Sequence, residues 1–223
     1  MAAARPSDRI RVRRGPHKGR YDRPSIDAVL DRGLVAHVAF VAGDEPYCIP
    51  MLYARIGEGI YIHGSTASRA IRALTGGASA CVTVTIVDGL VLARSAFEHS
   101  ANYESVMAFG RFAAVGDEAE RVAAFEAFTE KLLPGRWSEV RGPSRKELKA
   151  TTILTMPIEE ASMKVRTGGP NDDDLPDAAR DTWAGVIPLV TSFGEPEPSP
   201  GLRRGIPIAP SVARLLEART ATR

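Results

Sequence analysis

Turn signals recur at short intervals between Gly33 and Val115, and that spacing restricts the architecture more than any other feature. Gly43-Asp44-Glu45-Pro46, Gly57-Glu58-Gly59 and Asp88-Gly89 interrupt apolar runs rich in β-branched residues at Leu34–Val41, Tyr47–Ile56, Ile60–His63, Ala80–Val87 and Leu90–Ala93. Such runs between tight turns predict strands, and Asp88-Gly89 predicts a hairpin. Val106–Val115, Thr151–Met156 and Ser162–Arg166 predict further strands. Helices are expected over Ile26–Leu30 with Ser25 as N-cap and Gly33 as stop, over 67–75 before Gly76-Gly77, and over Glu118–Leu132 before Pro134-Gly135. The fold class expected is mostly β (α+β): an antiparallel sheet that closes into a barrel, so hiding its edges, with a few peripheral helices.

The chain divides into a basic N-terminal arm over 1–22, a barrel over 23–167, and an extension over 168–223. The arm and the following residues carry Arg5, Arg9, Arg11, Arg13, Arg14, Lys18, Arg20 and Arg23. Such a run could grip a polyanion, but without interleaved aromatics a solvated tail or one wrapped on a partner subunit is the expectation. After Gly168 an acidic Asn171–Asp174 and a proline-rich Glu195–Pro200 predict an irregular segment draped over the barrel or a partner, with a disordered end. A net charge of +2 gives no reason to expect a nucleic-acid or membrane partner. No apolar run reaches bilayer length and Met1-Ala2-Ala3-Ala4-Arg5-Pro6 forms no signal-peptide core, so the expected location is cytoplasmic. Cys48 and Cys81 read as reduced, buried thiols.

The most informative stretch is Tyr61-Ile62-His63-Gly64-Ser65-Thr66-Ala67-Ser68-Arg69-Ala70-Ile71-Arg72. A strand delivers a small polar loop that opens a helix. Hydroxyls at Ser65, Thr66 and Ser68, with the charges of Arg69 and Arg72, make a phosphate cradle. A plain Ser-capped surface helix reads equally well.

In order and spacing these elements resemble the flavin-binding split barrels of the pyridoxamine-phosphate-oxidase superfamily, over about residues 20–167. Gly33–Pro50 (GLVAHVAFVAGDEPYCIP) and Leu90–Gly110 (LVLARSAFEHSANYESVMAFG) resemble most the flavin-nucleotide-binding branch similar to nitroimidazole-resistance (NimA-like) proteins. The resemblance implies a flavin phosphate at Gly64, Ser65, Ser68 and Arg69, and a strand through Pro50, Met51, Leu52 and Tyr53 beneath the flavin ring. Alternation allows only one of the pairs Met51/Tyr53 and Pro50/Leu52 to face the ligand. It also implies a homodimer with the flavin near its interface. One departure stands out: the true oxidases usually place Lys after Ser-Arg, where this chain has Ala70, so a role in pyridoxal phosphate synthesis is not expected.

By the same resemblance His63 lies near the ligand and is the candidate catalytic group, able to hydrogen-bond a flavin edge or move a proton near neutrality. Arg94, Ser95, His99 and Tyr103 sit in a predicted inter-strand loop that could contact the flavin or stand exposed. Trp137 could close a flavin pocket. Lys164 and Arg166 share a strand face and could meet a phosphate or simply decorate a solvated edge. His37 reads as a core histidine. The expected activity is an oxidoreductase passing electrons from a nicotinamide cofactor through FMN or FAD to a small organic or nitroaromatic acceptor; related barrels use a deazaflavin. The alternative is a haem- or cofactor-binding barrel without flavin turnover, with His63 or His99 on the iron.

Overall fold

The structure is a computed structural model, and it describes residues 6–173 and 176–221, with side chains to 218. Arg5 and Asp174 lie outside the described residues. Helix α1 (Arg23–Arg32) starts where Asp22 accepts the Ser25 N–H at 2.9 Å, with Pro24 in its first turn. The cap is therefore Asp22 and not Ser25. Its inner face buries Ile26, Val29 and Leu30, each worth roughly 1.5–3 kcal/mol of apolar burial.

Strands β2 (Val35–Ala42), β3 (Glu45–Ile56) and β4 (Gly59–Ser65) form the expected meander. After α2 (Arg69–Thr75), strand β5 (Ser79–Leu92) runs straight through Asp88-Gly89 with a register shift between Val87 and Gly89. The expected hairpin is thus a bulge. Gly89 eases a close approach here: a Cβ would sit 3.1 Å from the Ile187 carbonyl oxygen, tighter than ordinary contact. That oxygen belongs to a C-terminal strand β10 (Gly185–Pro188) paired on the end of β5. Strand β6 (Ser100–Arg111) begins earlier than expected and ends before a separate β7 (Ala113–Ala114). Helix α3 (Glu118–Leu132) is followed by α4 (Arg145–Ala150), whose capping box joins Ser144 and Glu147. Strands β8 (Thr151–Pro157) and β9 (Glu160–Arg166) complete the sheet, with a two-residue β1 (Gly19–Arg20) on β9.

Among the described residues ten strands form one antiparallel sheet, ordered β1-β9-β6-β5-β2-β3-β4-β8-β7, with β10 off that path. The hydrogen-bonded ladder does not close. The sheet instead splits: β3 pairs with β2 over most of its length and hands its last residues, Tyr53–Ile56, to β4. Likewise the chain leaves β6 and pairs with β8 through β7. An antiparallel split barrel with peripheral helices results, packed around Val38, Tyr53, Ile60, Ile62, Val82, Val106, Leu154 and Met156.

Three other expectations change. His37 is exposed, because its position on β2 alternates with the buried Ala36 and Val38. Cys48 is exposed and Cys81 partly so, and both are free. Ala39 pairs with each of them. The thiols thus flank one strand, ~9–10 Å apart across two strand spacings and beyond disulfide reach. The chain end forms helix α5 (Pro210–Ala221), fixed where Ser211 donates from its N–H and hydroxyl to Glu139 at 2.8 and 2.5 Å. No described helix is long and apolar enough to cross a membrane.

Candidate functional site

His63 sits on β4 opposite Ile153 of β8. Helix α3 lays Phe125 and Phe128, one turn apart, against its ring at centroid distances of 6.1 and 4.6 Å. Its Nδ1 is buried and has no hydrogen-bond partner among the described residues. An orphaned buried polar atom costs about 1–3 kcal/mol. Burial holds the imidazole pKa below its ordinary 6.5, so the ring is neutral at pH 7.

Two spaces meet at this ring. An apolar cavity of about 40 Å³ lies between His63, Leu52, Tyr53, Phe128 and Lys131, about the room of one or two waters. A wider groove of about 470 Å³ is lined by His63, Phe125, Thr129, Trp137, Arg141 and Thr151. Its far rim carries Arg141, ion-paired with Glu147 at 2.6 Å. Lys131 donates to the Leu30 carbonyl at 2.6 Å and lies 4.1 Å from the Tyr53 ring centroid. Burial lowers its pKa to about 8. The Tyr53 hydroxyl donates to the same carbonyl at 2.6 Å, and burial pushes its pKa above the usual phenol range.

The loop from β4 to α2 forms as expected. The Ser68 N–H donates to the Ser65 carbonyl at 2.9 Å, the Ala67 N–H to Ser65 Oγ at 3.3 Å, and Ser68 is the N-cap with its hydroxyl unused in capping. Gly64 lets α2 come close: a Cβ there would fall 2.8 Å from Ile71 Cγ1. Arg69 lies over the Tyr47 ring at 4.8 Å and donates to its hydroxyl at 2.6 Å, which holds the guanidinium beside the loop. Ala70 faces the core at 3% exposure, so a lysine at that position would be buried.

The remaining sequence candidates scatter. On β3, Met51 and Tyr53 point inward while Pro50 and Leu52 are exposed. Arg94 is tied to Asp172 and Asp173 at 3.2 and 2.9 Å, and its N–H donates to the wholly buried Asp172 at 2.5 Å. Burial alone would raise the Asp172 pKa, but hydrogen bonds from the Arg94 and Ser95 backbone and the Arg94 charge bring it below the carboxylate value. Arg94 therefore clamps the C-terminal extension. His99 is exposed, with Nδ1 2.9 Å from the Ser95 carbonyl oxygen. Arg166, 6% exposed, donates to Asn102 at 2.6 Å and to the Gly168 and Gly169 carbonyls. It is no solvated edge residue. Tyr103 and Lys164 line a different cavity, beneath the N-terminal arm. Trp137 does reach the His63 groove, as do Phe125 and Arg141, while Phe128 and Lys131 line the small cavity beside the ring; none of these last four was expected from the sequence. The Phe125/Phe128 spacing on a predicted helix was the available signal.

The pyridoxamine 5'-phosphate oxidase family model matches residues 22–165. Among solved structures, the flavocytochrome Anf3 from Azotobacter vinelandii is similar at 39% identity, covering 94% of this chain and 97% of its own, with a TM-score of 0.87. The FAD and haem binding protein from Mycobacterium smegmatis is similar at 41% identity, covering 89% and 97%, with a TM-score of 0.84. A putative 5-nitroimidazole antibiotic resistance protein from Bacteroides thetaiotaomicron, 18% identical over 66% of this chain and 86% of its own, shares the fold at a TM-score of 0.55. No curated protein matches the sequence. The match over most of the chain, on a split antiparallel barrel with a Ser-Arg loop, shows that this protein belongs to the pyridoxamine 5'-phosphate oxidase family.

Proposed function

We propose that the protein binds both a flavin and a haem, with His63 as haem-iron ligand and the β4–α2 loop as flavin-phosphate holder. The observation that carries this reading is His63: a neutral imidazole, one ring nitrogen buried and unpaired, between two phenylalanines at the head of an aromatic groove. Iron ligation needs an unprotonated imidazole, and a macrocycle needs flat apolar walls, which Phe125 and Trp137 supply. Arg141 at the rim is ion-paired with Glu147, and a carboxylate of such a ligand would have to displace that pair. His99 is exposed and outside this groove, and its role as ligand is not part of the proposal. Ser65, Ser68 and Arg69 have the hydroxyls and the held charge that a flavin phosphate needs, and Pro50 and Leu52 are the β3 pair placed to face the ring. Two structures similar at 39% and 41% identity bear the names flavocytochrome and FAD and haem binding protein.

Bound together, a flavin would take hydride from a nicotinamide donor and a haem would pass single electrons. The residues' own share is narrower. The aromatic walls exclude water, Arg69 neutralises phosphate, and His63 stays neutral because it is buried. A homodimer belongs to the same reading: the outer sheet face exposes Val35, Val41 and Leu52 at 42–55%, and a second copy would cover them. A small organic or nitroaromatic acceptor is the expected oxidant.

The test is a haemin titration followed by Soret absorbance. Wild type and His99→Ala should bind alike, and His63→Ala should bind at least ~100-fold more weakly. Equal Soret bands in His63→Ala and wild type would remove His63 as ligand.

A further inference from the structure

We infer that the groove beneath the N-terminal arm is a second ligand site, for a nucleotide carrying two or more phosphates. Residues 7–20 of the arm are not a loose tail. Ser7 Oγ and Arg9 reach Glu160 at 2.7 and 3.1 Å, Arg9 covers the Phe109 ring at 4.7 Å, the Val12 N–H donates to Tyr21 Oη at 2.9 Å, and Gly19–Arg20 pair with β9. Pinned at these points, residues 9–14 roof a cavity of about 400 Å³ over the outer faces of β6 and β9.

Its lining has one sign of charge: Arg9, Arg11, Arg13, Arg14 and Lys164, with no carboxylate. Arg9 is engaged by Glu160 at the rim and Arg11 by Asp8 at 3.2 Å. The side chains of Arg13, Arg14 and Lys164, and the Tyr103 hydroxyl, have no hydrogen-bond or ion-pair partner among the described residues. Cations gathered in a concave site raise the local concentration of anions, and guanidinium forks fit phosphate oxygens. Met107, 42% exposed, and Tyr103 give the floor an apolar, aromatic surface, on which a base can stack. Inorganic phosphate uses only the roof; a nucleotide uses roof and floor. Three strands, β5, β2 and β3, separate β6 from β4 in the sheet order, so this groove and the Ser65–Arg69 loop of one chain are different places. The inference does not rest on the flavin reading.

The experiment is calorimetric titration of the full chain with ADP and with pyrophosphate, with and without saturating FMN or FAD. ADP should bind in both states, more tightly than pyrophosphate, and more weakly as salt rises. The double variant R13A/R14A should lose at least ~10-fold in ADP affinity, the loss of one charge-assisted contact or more. Y103F should fold as wild type and weaken ADP to a smaller degree. Absence of ADP binding, unchanged affinity in R13A/R14A, displacement of ADP by FMN or FAD, or pyrophosphate binding as tightly as ADP would each overturn the assignment.

Discussion

Lys131 offers a direct check on the interior beside His63. Its ammonium is half-buried, and burial lowers its pKa from 10.5 to about 8. In the unfolded chain it keeps its proton up to the higher value, so between about pH 8 and 10.5 the unfolded state binds more protons. Stability must therefore rise with pH across that window. The shift of about 2.5 units corresponds to about 3 kcal/mol at 1.36 kcal/mol per unit. Partial exposure to solvent screens the charge, which reduces the expected contribution to ~1.5 kcal/mol. Lys131→Met keeps the apolar stem and removes the titration. At pH 7 the two effects of the substitution oppose each other: a desolvated charge is relieved, while the hydrogen bond to Leu30 and the contact with Tyr53 are lost. The diagnostic quantity is consequently the slope. Urea unfolding at pH 7, 8, 9 and 10 should show wild type gaining ~1.5 kcal/mol relative to Lys131→Met. Tyr53, whose folded pKa is raised, lowers the stability of both proteins once the unfolded phenol ionises, and so drops out of the difference. A difference between wild type and variant that stays flat from pH 7 to 10 would refute the buried-ammonium geometry.

Other substitutions probe the frame of the site. Arg166→Ala removes the donors to Asn102, Gly168 and Gly169 from a buried position; a loss of about 2–3 kcal/mol is expected in urea unfolding. Gly64→Ala drives a methyl to 2.8 Å from Ile71, so α2 must shift at a cost of about 1–3 kcal/mol, and FMN affinity measured by fluorescence quenching should fall with it.

Local signals explain what the sequence made legible. The Gly43–Pro46 and Gly57–Gly59 turns need only neighbouring residues, and the β2–β3–β4 meander follows from them. The β4–α2 loop is equally local, since Ser65, Ser68 and Gly64 act within a few residues of one another. Asp88-Gly89 misleads because β10, some hundred residues later, lies along β5 and demands a close approach where a hairpin turn would otherwise stand. Helix α5 was hidden for the same reason: its cap partner, Glu139, lies far back in the chain. Helix α4 was not among the expected helices, although Ser144-Arg145-Lys146-Glu147 has the capping-box pattern that could have signalled it. For the site, His63 was legible as a strand-end histidine before a polar loop. Its burial by Phe125 and Phe128 was not, because nothing local says that α3 folds back over β4. Arg94 and Arg166 looked like free cations, and only the tertiary structure shows them held by the extension and by the turn at Gly168.

The central claim, two cofactors on one chain, is tested most directly by loading the protein with haemin and then titrating FAD against its fluorescence. Quenching that saturates while the Soret band stays unchanged is the predicted result. Loss of the Soret band as FAD binds, or absence of quenching in haemin-loaded protein, would contradict it.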